Sequence, residues 1–239
     1  MLPPFSIVIP AFNEESRIAK TLGLTLNYLG NVSPESELIV VNDGSTDATA
    51  TITRDVFSET KINIRLLEDF PNRGKGAAVR SGLLAAQRPI GLFSDADLST
   101  PLEETPKLIE PIADGKIDIA FGSRALDRSL IGQHQPWRRE QAGRIFNLLV
   151  RLATGLPFWD TQCGFKAFRV DVCRPIFEAA RIDGFAFDVE LLYLAQRAGL
   201  RICEIPVRWN DAEGSKVRFL QDSLRMLREV IALRTRRSF

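Results

Sequence analysis

The chain has 239 residues, 45% hydrophobic and 26% charged, enough for one large core or two small ones. Its 31 basic and 30 acidic side chains leave a formal charge of +1, so nothing global favours nucleic acid and an anionic partner must be met by a local basic cluster. Cys163, Cys173, Cys203 and the single histidine, His134, lack the close pairing of a zinc site, which leaves reduced, cytoplasmic cysteines as the simplest reading. Met1-Leu2-Pro3-Pro4 opens no secretory signal and no stretch reaches the ~20 apolar residues that span a bilayer, so the catalytic surface is expected to face the cytoplasm.

The first half alternates short apolar runs with helical patterns, the signature of a parallel sheet covered by helices. Strands are expected at 5–10, 37–42, 62–67, 89–94 and 117–122, and helices at 14–28, 46–58, 74–87 and 102–113. Ser45-Thr46-Asp47 suits a helix start, because short polar side chains accept orphan backbone N–H groups. In such a sheet ligands sit beyond the carboxyl ends of the strands. The polar loops Ala11-Phe12-Asn13-Glu14, Asp43-Gly44-Ser45, Asn72-Arg73-Gly74-Lys75-Gly76 and Asp95-Ala96-Asp97 fall on that one rim.

Asp95 and Asp97 end an apolar run, and a turn that aims both carboxylates one way can grip Mg²⁺ or Mn²⁺, which prefer charged oxygen ligands. The plainer alternative is a turn in which Asp97 or Ser99 caps the helix beginning at Leu102. Gly74-Lys75-Gly76 could likewise be only a flexible turn; it lacks the Walker spacing, and no G-x-G-x-x-G follows the first strand, so a P-loop or dinucleotide site is disfavoured.

The second half changes character, with a long helix at 137–154, strands at 165–169 and 202–209 that extend the sheet, at least one of them antiparallel, and a helix at 187–198. The last segment, 217–239, sets Leu220, Leu224, Leu227 and Ile231 at helical spacing, with Arg225, Arg228, Arg234, Arg236 and Arg237 mostly off that stripe. It suits a helix packed on the domain, a helix lying on an anionic membrane surface, or both. Without a linker or repeat, the chain reads as one domain, divided into residues 1–124, 125–216 and the basic amphipathic helix 217–239.

Ser6 to Glu15, Val40 to Asp47 and Asp95-Ala96-Asp97, in this order and spacing, resemble the nucleotide-sugar half of family 2 glycosyltransferases with a GT-A fold. Asn72 to Gly76, Gly122-Ser123-Arg124, Asp160 to Lys166, Phe187-Asp188-Val189-Glu190 and Gly214-Ser215-Lys216 resemble dolichyl-phosphate β-glucosyltransferases and related polyprenyl-phosphate hexose synthases. The resemblance implies an α/β, Rossmann-like three-layer sandwich with a mostly parallel sheet and antiparallel additions in the second half. It departs in having Asn42 where many relatives carry Asp, and in lacking the terminal membrane helices of several relatives, so that membrane access is expected through surface binding or a partner protein.

It further implies inverting transfer of a hexose, glucose by preference, from a UDP-sugar to a polyprenyl phosphate, with Mg²⁺ or Mn²⁺. Asp43 is expected at the base, Pro10, Ala11, Asn13, Glu14 and Gly44 around base and ribose, Lys75 near base or diphosphate, Ala96 beside the nucleotide, Asp95 on the ribose or the metal's water shell, and Asp97 directly on the metal. A phosphate monoester is already largely dianionic at neutral pH, with a second pKa of about 6, so it needs cations to position it rather than a general base. Arg124, Lys216 and Lys166, with Ser215, are the expected acceptor-phosphate ligands. Arg138 and Arg139 could join them or form a solvated helix start; Asp160 and Glu190 could contact sugar hydroxyls, fix a cation or simply form structural salt bridges. Alternatives are a GDP-mannose donor, a non-lipid acceptor, or a nucleotide-sugar-binding protein without catalysis.

Overall fold

The structure, a computed structural model, describes residues 1–58, 60, 62–211 and 219–234. Its centre is a sheet whose strands are apolar on both sides. Along β1 (Phe5–Ala11), Phe5, Ile7 and Ile9 enter one apolar cluster while Val8 enters the other, as a period of two requires. β2 (Glu37–Asn42), β4 (Ile90–Ser94) and β5 (Ile119–Ser123) are buried at every position, the mark of strands covered by helices on both faces. Helices α1 (Ile18–Val32), α2 (Thr49–Phe57) and α4 (Thr105–Ala113) pack on the side of Phe5, Ile7 and Ile9. Helices α3 (Lys75–Ala85), α5 (Trp137–Thr154), α6 (Val170–Ala179), α7 (Phe187–Arg197) and α8 (Phe219–Leu233) share the cluster on the other side.

With β3 (Asn63–Glu68), β7 (Phe165–Arg169) and β8 (Ile202–Pro206), the strand order is β3-β2-β1-β4-β7-β5-β8. β7 alone is antiparallel, and it does not extend the edge: it is inserted between β4 and β5, with Lys166 opposite both Phe93 and Phe121. Its amino end therefore opens on the rim where β4 and β5 finish. The expected strand at 202–209 divides, since β9 (Trp209–Asn210) leaves the main sheet to pair with the short β6 (Ile131–Gln133).

Helix starts shift inward from their expected positions. Residues 14–17 form a turn before α1, in which the N–H groups of Arg17 and Ile18 donate to the Glu14 carbonyl. The stripe that packs α8 on the domain is not the expected one: Met226, Val230 and Leu233 are buried, whereas Leu224 and Ile231 are exposed and Leu227 is partly covered, so the expected stripe could only serve an outer surface. Both sets recur at i, i+4 or i+7, so periodicity alone could not choose between them.

Candidate active site

A cavity of about 470 Å³ opens at the carboxyl ends of β1, β2 and β4. Pro10, Ala11, Glu14, Asp43, Lys75, Asp95, Ala96 and Asp97 all line it, so most of the expected nucleotide residues converge there. Asn13 and Gly44 are not among the residues that line it. Asn13 links two loops, donating its N–H to Ser45 Oγ at 2.9 Å and accepting from the Thr46 N–H at 2.8 Å. Gly44, at φ +70°, lets Asn72 approach: a side-chain Cβ there would meet the Asn72 nitrogen at 2.7 Å.

The acidic turn is held on several sides. The Leu98 N–H donates to the Asp95 carbonyl at 3.1 Å, and the Ala96 carbonyl accepts from Thr21 Oγ1 at 2.6 Å. Leu98 adopts φ +49°, a conformation costly for a leucine and kept by the packing around it. Asp97 Oδ1 accepts from the Ser99 N–H at 2.9 Å, within the turn itself, and caps no helix; Pro101 precedes the 3₁₀ turn Leu102–Glu104. Asp95 pairs with Lys75 Nζ at 2.6 Å. Burial opposes the Lys75 charge, but Asp95 and Asp188 outweigh it and hold the ammonium pKa above its ordinary value.

Two carboxylates from one turn fit a hard divalent cation of the kind that takes one or two protein carboxylates and completes its shell with phosphate oxygens and water. Among the described residues no group of three or more His, Cys, Asp or Glu side chains could hold a metal by itself.

Asp43 shapes the wall opposite. Its carboxylate accepts the N–H groups of Arg73 and Gly74, each at 2.8 Å, and the Asn72 amide at 2.8 Å. Burial still leaves its pKa raised. Gly74 and Gly76 are not spare flexibility: the backbone of residues 182–184 crosses them so closely that a Cβ would lie 2.4 Å from the Asp183 carbonyl oxygen at Gly74 and 2.5 Å from that of Ile182 at Gly76. The Asp183 carbonyl in turn accepts the Gly76 N–H at 2.8 Å, covering the start of α3. Glu190 holds that crossing segment, accepting from the N–H groups of Arg181 and Ile182 at 2.9 and 2.7 Å, and lines neither cavity. The cavity also includes Arg225, Met226 and Glu229 of α8, a wall that motif reading missed.

Lys166 corrects another expectation. It is fully buried on β7, with Nζ 2.6 Å from Asp188 Oδ1 and 2.5 Å from the Cys163 carbonyl oxygen. A lysine enclosed in this way positions the site from behind and reaches no acceptor. Burial raises the pKa of Asp188, with Lys166 and Lys75 pulling it back.

A second cavity, about 410 Å³, lies on the far side of the 160–164 segment. Gly122, Ser123 and Arg124 each have a task here. Gly122 admits Val207, Ser123 Oγ accepts the N–H groups of Ala125 and Leu126 to turn the chain, and Arg124 enters the cavity. Asp160 grips Arg124 by a fork, Nε to Oδ2 and Nη2 to Oδ1 both at 2.6 Å, and accepts the Arg124 N–H at 2.9 Å. Burial works against the Asp160 charge, yet the Arg124 contacts hold its carboxyl below the usual range. Cys163, packed between the sites, is a buried thiol pushed up to about 11 by desolvation.

Arg128, Arg139, Arg144 and Arg151 line the same cavity, where Asp160 and Glu140 are the carboxylates among the described residues. Trp209 lies under Arg124 with 5.4 Å from guanidinium to ring, and Arg151 lies 3.9 Å over Trp159. Arg139 thus lies in one cavity with Arg124, together with Arg128, Arg144 and Arg151, which no motif singled out. Glu140, Arg144, Asn147 and Arg151 recur at i, i+4, i+7 and i+11, a polar stripe that could have identified them. The Arg138 side chain, and Ser215, Lys216, Arg236 and Arg237, lie outside what the structure describes.

The glycosyl transferase family 2 model matches residues 6–177. The dolichyl-phosphate β-glucosyltransferase of Dictyostelium discoideum is 33% identical over 242 residues, covering 97% of this chain and 74% of that protein. The Drosophila melanogaster enzyme of the same name is 37% identical, covering 95% and 73%. Among solved structures, Mycobacterium tuberculosis glucosyl-3-phosphoglycerate synthase with Mn²⁺, UDP and glucosyl-3-phosphoglycerate superposes with a TM-score of 0.68 at 23% identity, covering 96% of this chain and 77% of that one. The fold is thus GT-A, and the chain belongs to glycosyl transferase family 2 as a hexosyltransferase similar to the dolichyl-phosphate β-glucosyltransferases.

Proposed function

We propose that the protein transfers glucose from UDP-glucose to the phosphate of a dolichyl-type polyprenol, with Mg²⁺ or Mn²⁺, at the cytoplasmic face of a membrane. The observation that carries this reading is the pair of cavities, one lined by Asp43, Asp95 and Asp97 and the other rich in arginine: Asp95 of the first touches Gly164, in the same short segment as Asp160 of the second. They provide separate seats for a diphosphate bound through a cation and for a phosphate bound by guanidinium groups.

An acceptor phosphate oxygen forms the bond to the anomeric carbon from the face opposite the leaving diphosphate, whose bond to that carbon breaks, so the configuration inverts. No residue need remove a proton, because the phosphate monoester enters as a dianion. Arg124 orients it, and Asp160 fixes the guanidinium so that little rotamer freedom is lost on binding. Asp97 and Asp95 would hold the cation, which when bound supplies charge stabilisation for the departing diphosphate. Lys75 stays protonated beside Asp95 and limits the repulsion among the carboxylates and phosphates.

Incubation with labelled UDP-glucose, Mg²⁺ or Mn²⁺ and polyprenyl phosphate should yield a lipid-extractable sugar. Absence of such a product with every nucleotide sugar tried overturns the reading.

A further inference from the structure

Helix α5 has three faces, and only two are accounted for. Phe146 and Val150 enter the core, and Glu140, Arg144, Asn147 and Arg151 face the arginine-rich cavity. The third carries Trp137, Ile145, Leu148 and Leu152, at i, i+8, i+11 and i+15, with exposures of 72%, 60%, 53% and 71%. Leu149, at the edge of this stripe, is also exposed. Apolar side chains stacked on one side of a helix and left in water mark a surface that meets something.

We infer that this face of α5 is a docking surface for an anionic phospholipid bilayer, on which the helix lies flat. The inference rests on the proposed lipid acceptor. Continuity supports it first: Leu148 belongs to the exposed stripe and also lines the arginine-rich cavity, as does Trp159, itself 55% exposed. A bilayer against the stripe thus reaches the cavity mouth, where a lipid phosphate would enter; a protein covering the same stripe would obstruct it. Charge is the second support. α5 carries four arginines and one acidic residue, in a chain whose net charge is only +1. Arginines flanking an apolar stripe that begins with tryptophan suit headgroups at the edge of a hydrocarbon layer. Two copies joined through the same stripe would instead set Arg144 and Arg151 near their own counterparts. Among the described residues no helix is long and apolar enough to cross a membrane, so the contact is a surface one. The neighbouring α8 adds Leu224 and Ile231 among the described residues.

Co-sedimentation with phosphatidylcholine vesicles, with and without phosphatidylglycerol, tests this without any substrate. The wild-type chain should bind the anionic vesicles, more weakly at high salt. The double variant I145Q/L152Q, which alters neither cavity, should keep its thermal midpoint and elution volume and bind at least about tenfold more weakly. L224Q/I231Q should lose less. Unchanged binding by I145Q/L152Q, or full loss in the α8 variant alone, overturns the inference. So does a wild-type dimer that I145Q/L152Q dissociates, since a second copy would then own the face. Vesicle binding that depends on α5 in a protein without transferase activity would leave docking standing while the proposed reaction fails.

Discussion

Asp95 occupies the space that a side chain on residue 164 would require: a methyl group on Gly164 would lie 1.9 Å from Asp95 Oδ2. The Asp95 N–H also donates to the Gly164 carbonyl at 3.1 Å. The cavity at the carboxyl ends of β1, β2 and β4 and the 160–164 segment are therefore in contact at atomic range, through an absent side chain.

Gly164→Ala should push the Asp95 carboxylate off Lys75. Because a displacement of about 1 Å at a reacting centre can cost ~100-fold, kcat should fall to that extent while the thermal midpoint changes far less. Steady-state kinetics beside a melt checks it; a midpoint that collapses with kcat would make Gly164 a folding residue.

Asp97→Asn keeps the shape of the turn and the acceptor of the Ser99 N–H but removes the charge. Turnover should drop by two orders of magnitude or more, roughly the scale of a lost preorganised charge interaction. Calorimetric titration of Mn²⁺ in the presence of UDP should show the matching loss of metal affinity, and retained affinity would remove Asp97 from the metal shell.

Arg124→Lys preserves charge and loses the fork to Asp160. The KM for the phosphate acceptor should rise about 10- to 100-fold, with UDP affinity unaltered. Equal effects on donor and acceptor would count against the division of labour between the cavities.

Lys166→Met leaves Asp188 buried without its main partner, which costs about 3–5 kcal/mol. Lys166→Met/Asp188→Leu should recover much of this in a denaturant titration. The acceptor KM of the folded single variant should stay near that of the wild type; a large rise would restore Lys166 as an acceptor ligand.

Asp160 gives an acid limb. Its folded pKa lies below the unfolded value of about 3.9, so its contribution is complete above that pH and is lost as pH falls through the folded value. Asp160→Asn should destabilise by ~1–3 kcal/mol at neutral pH, with the gap to wild type closing as both are taken below about pH 4. A gap independent of pH would show that shape, not charge, holds Arg124.

Sequence spacing revealed the rim because its polar residues follow apolar runs directly, as Asp43 follows β2 and Asp95 follows β4. Short-range pattern could not reveal how distant segments meet. Gly74 and Gly76 read as flexibility until residues 182–184 lie across them, and Lys166 reads as a free cation until β7 is inserted between β4 and β5. No helix is expected over 170–179, where Pro175 interrupts the pattern, yet Val170, Cys173, Ile176 and Phe177 recur at helical spacing on the buried face of α6. The arginines of α5 were visible as charges, but the cavity that gathers them forms only when β6 pairs with β9 and Trp209 is brought under Arg124.

The reversed direction of β7 has a further consequence. The chain leaves β5 and enters β7 on one and the same edge of the sheet, so residues 124–164 form an excursion that begins and ends at the rim. An excursion of this kind can be lengthened, shortened or exchanged with no strand rethreaded and no crossover rebuilt. On the proposed reaction, the excursion that carries Arg124, Arg139 and Asp160 can therefore vary while the strands beneath it keep their order, provided β6 and α5 keep their contacts with β9 and the core.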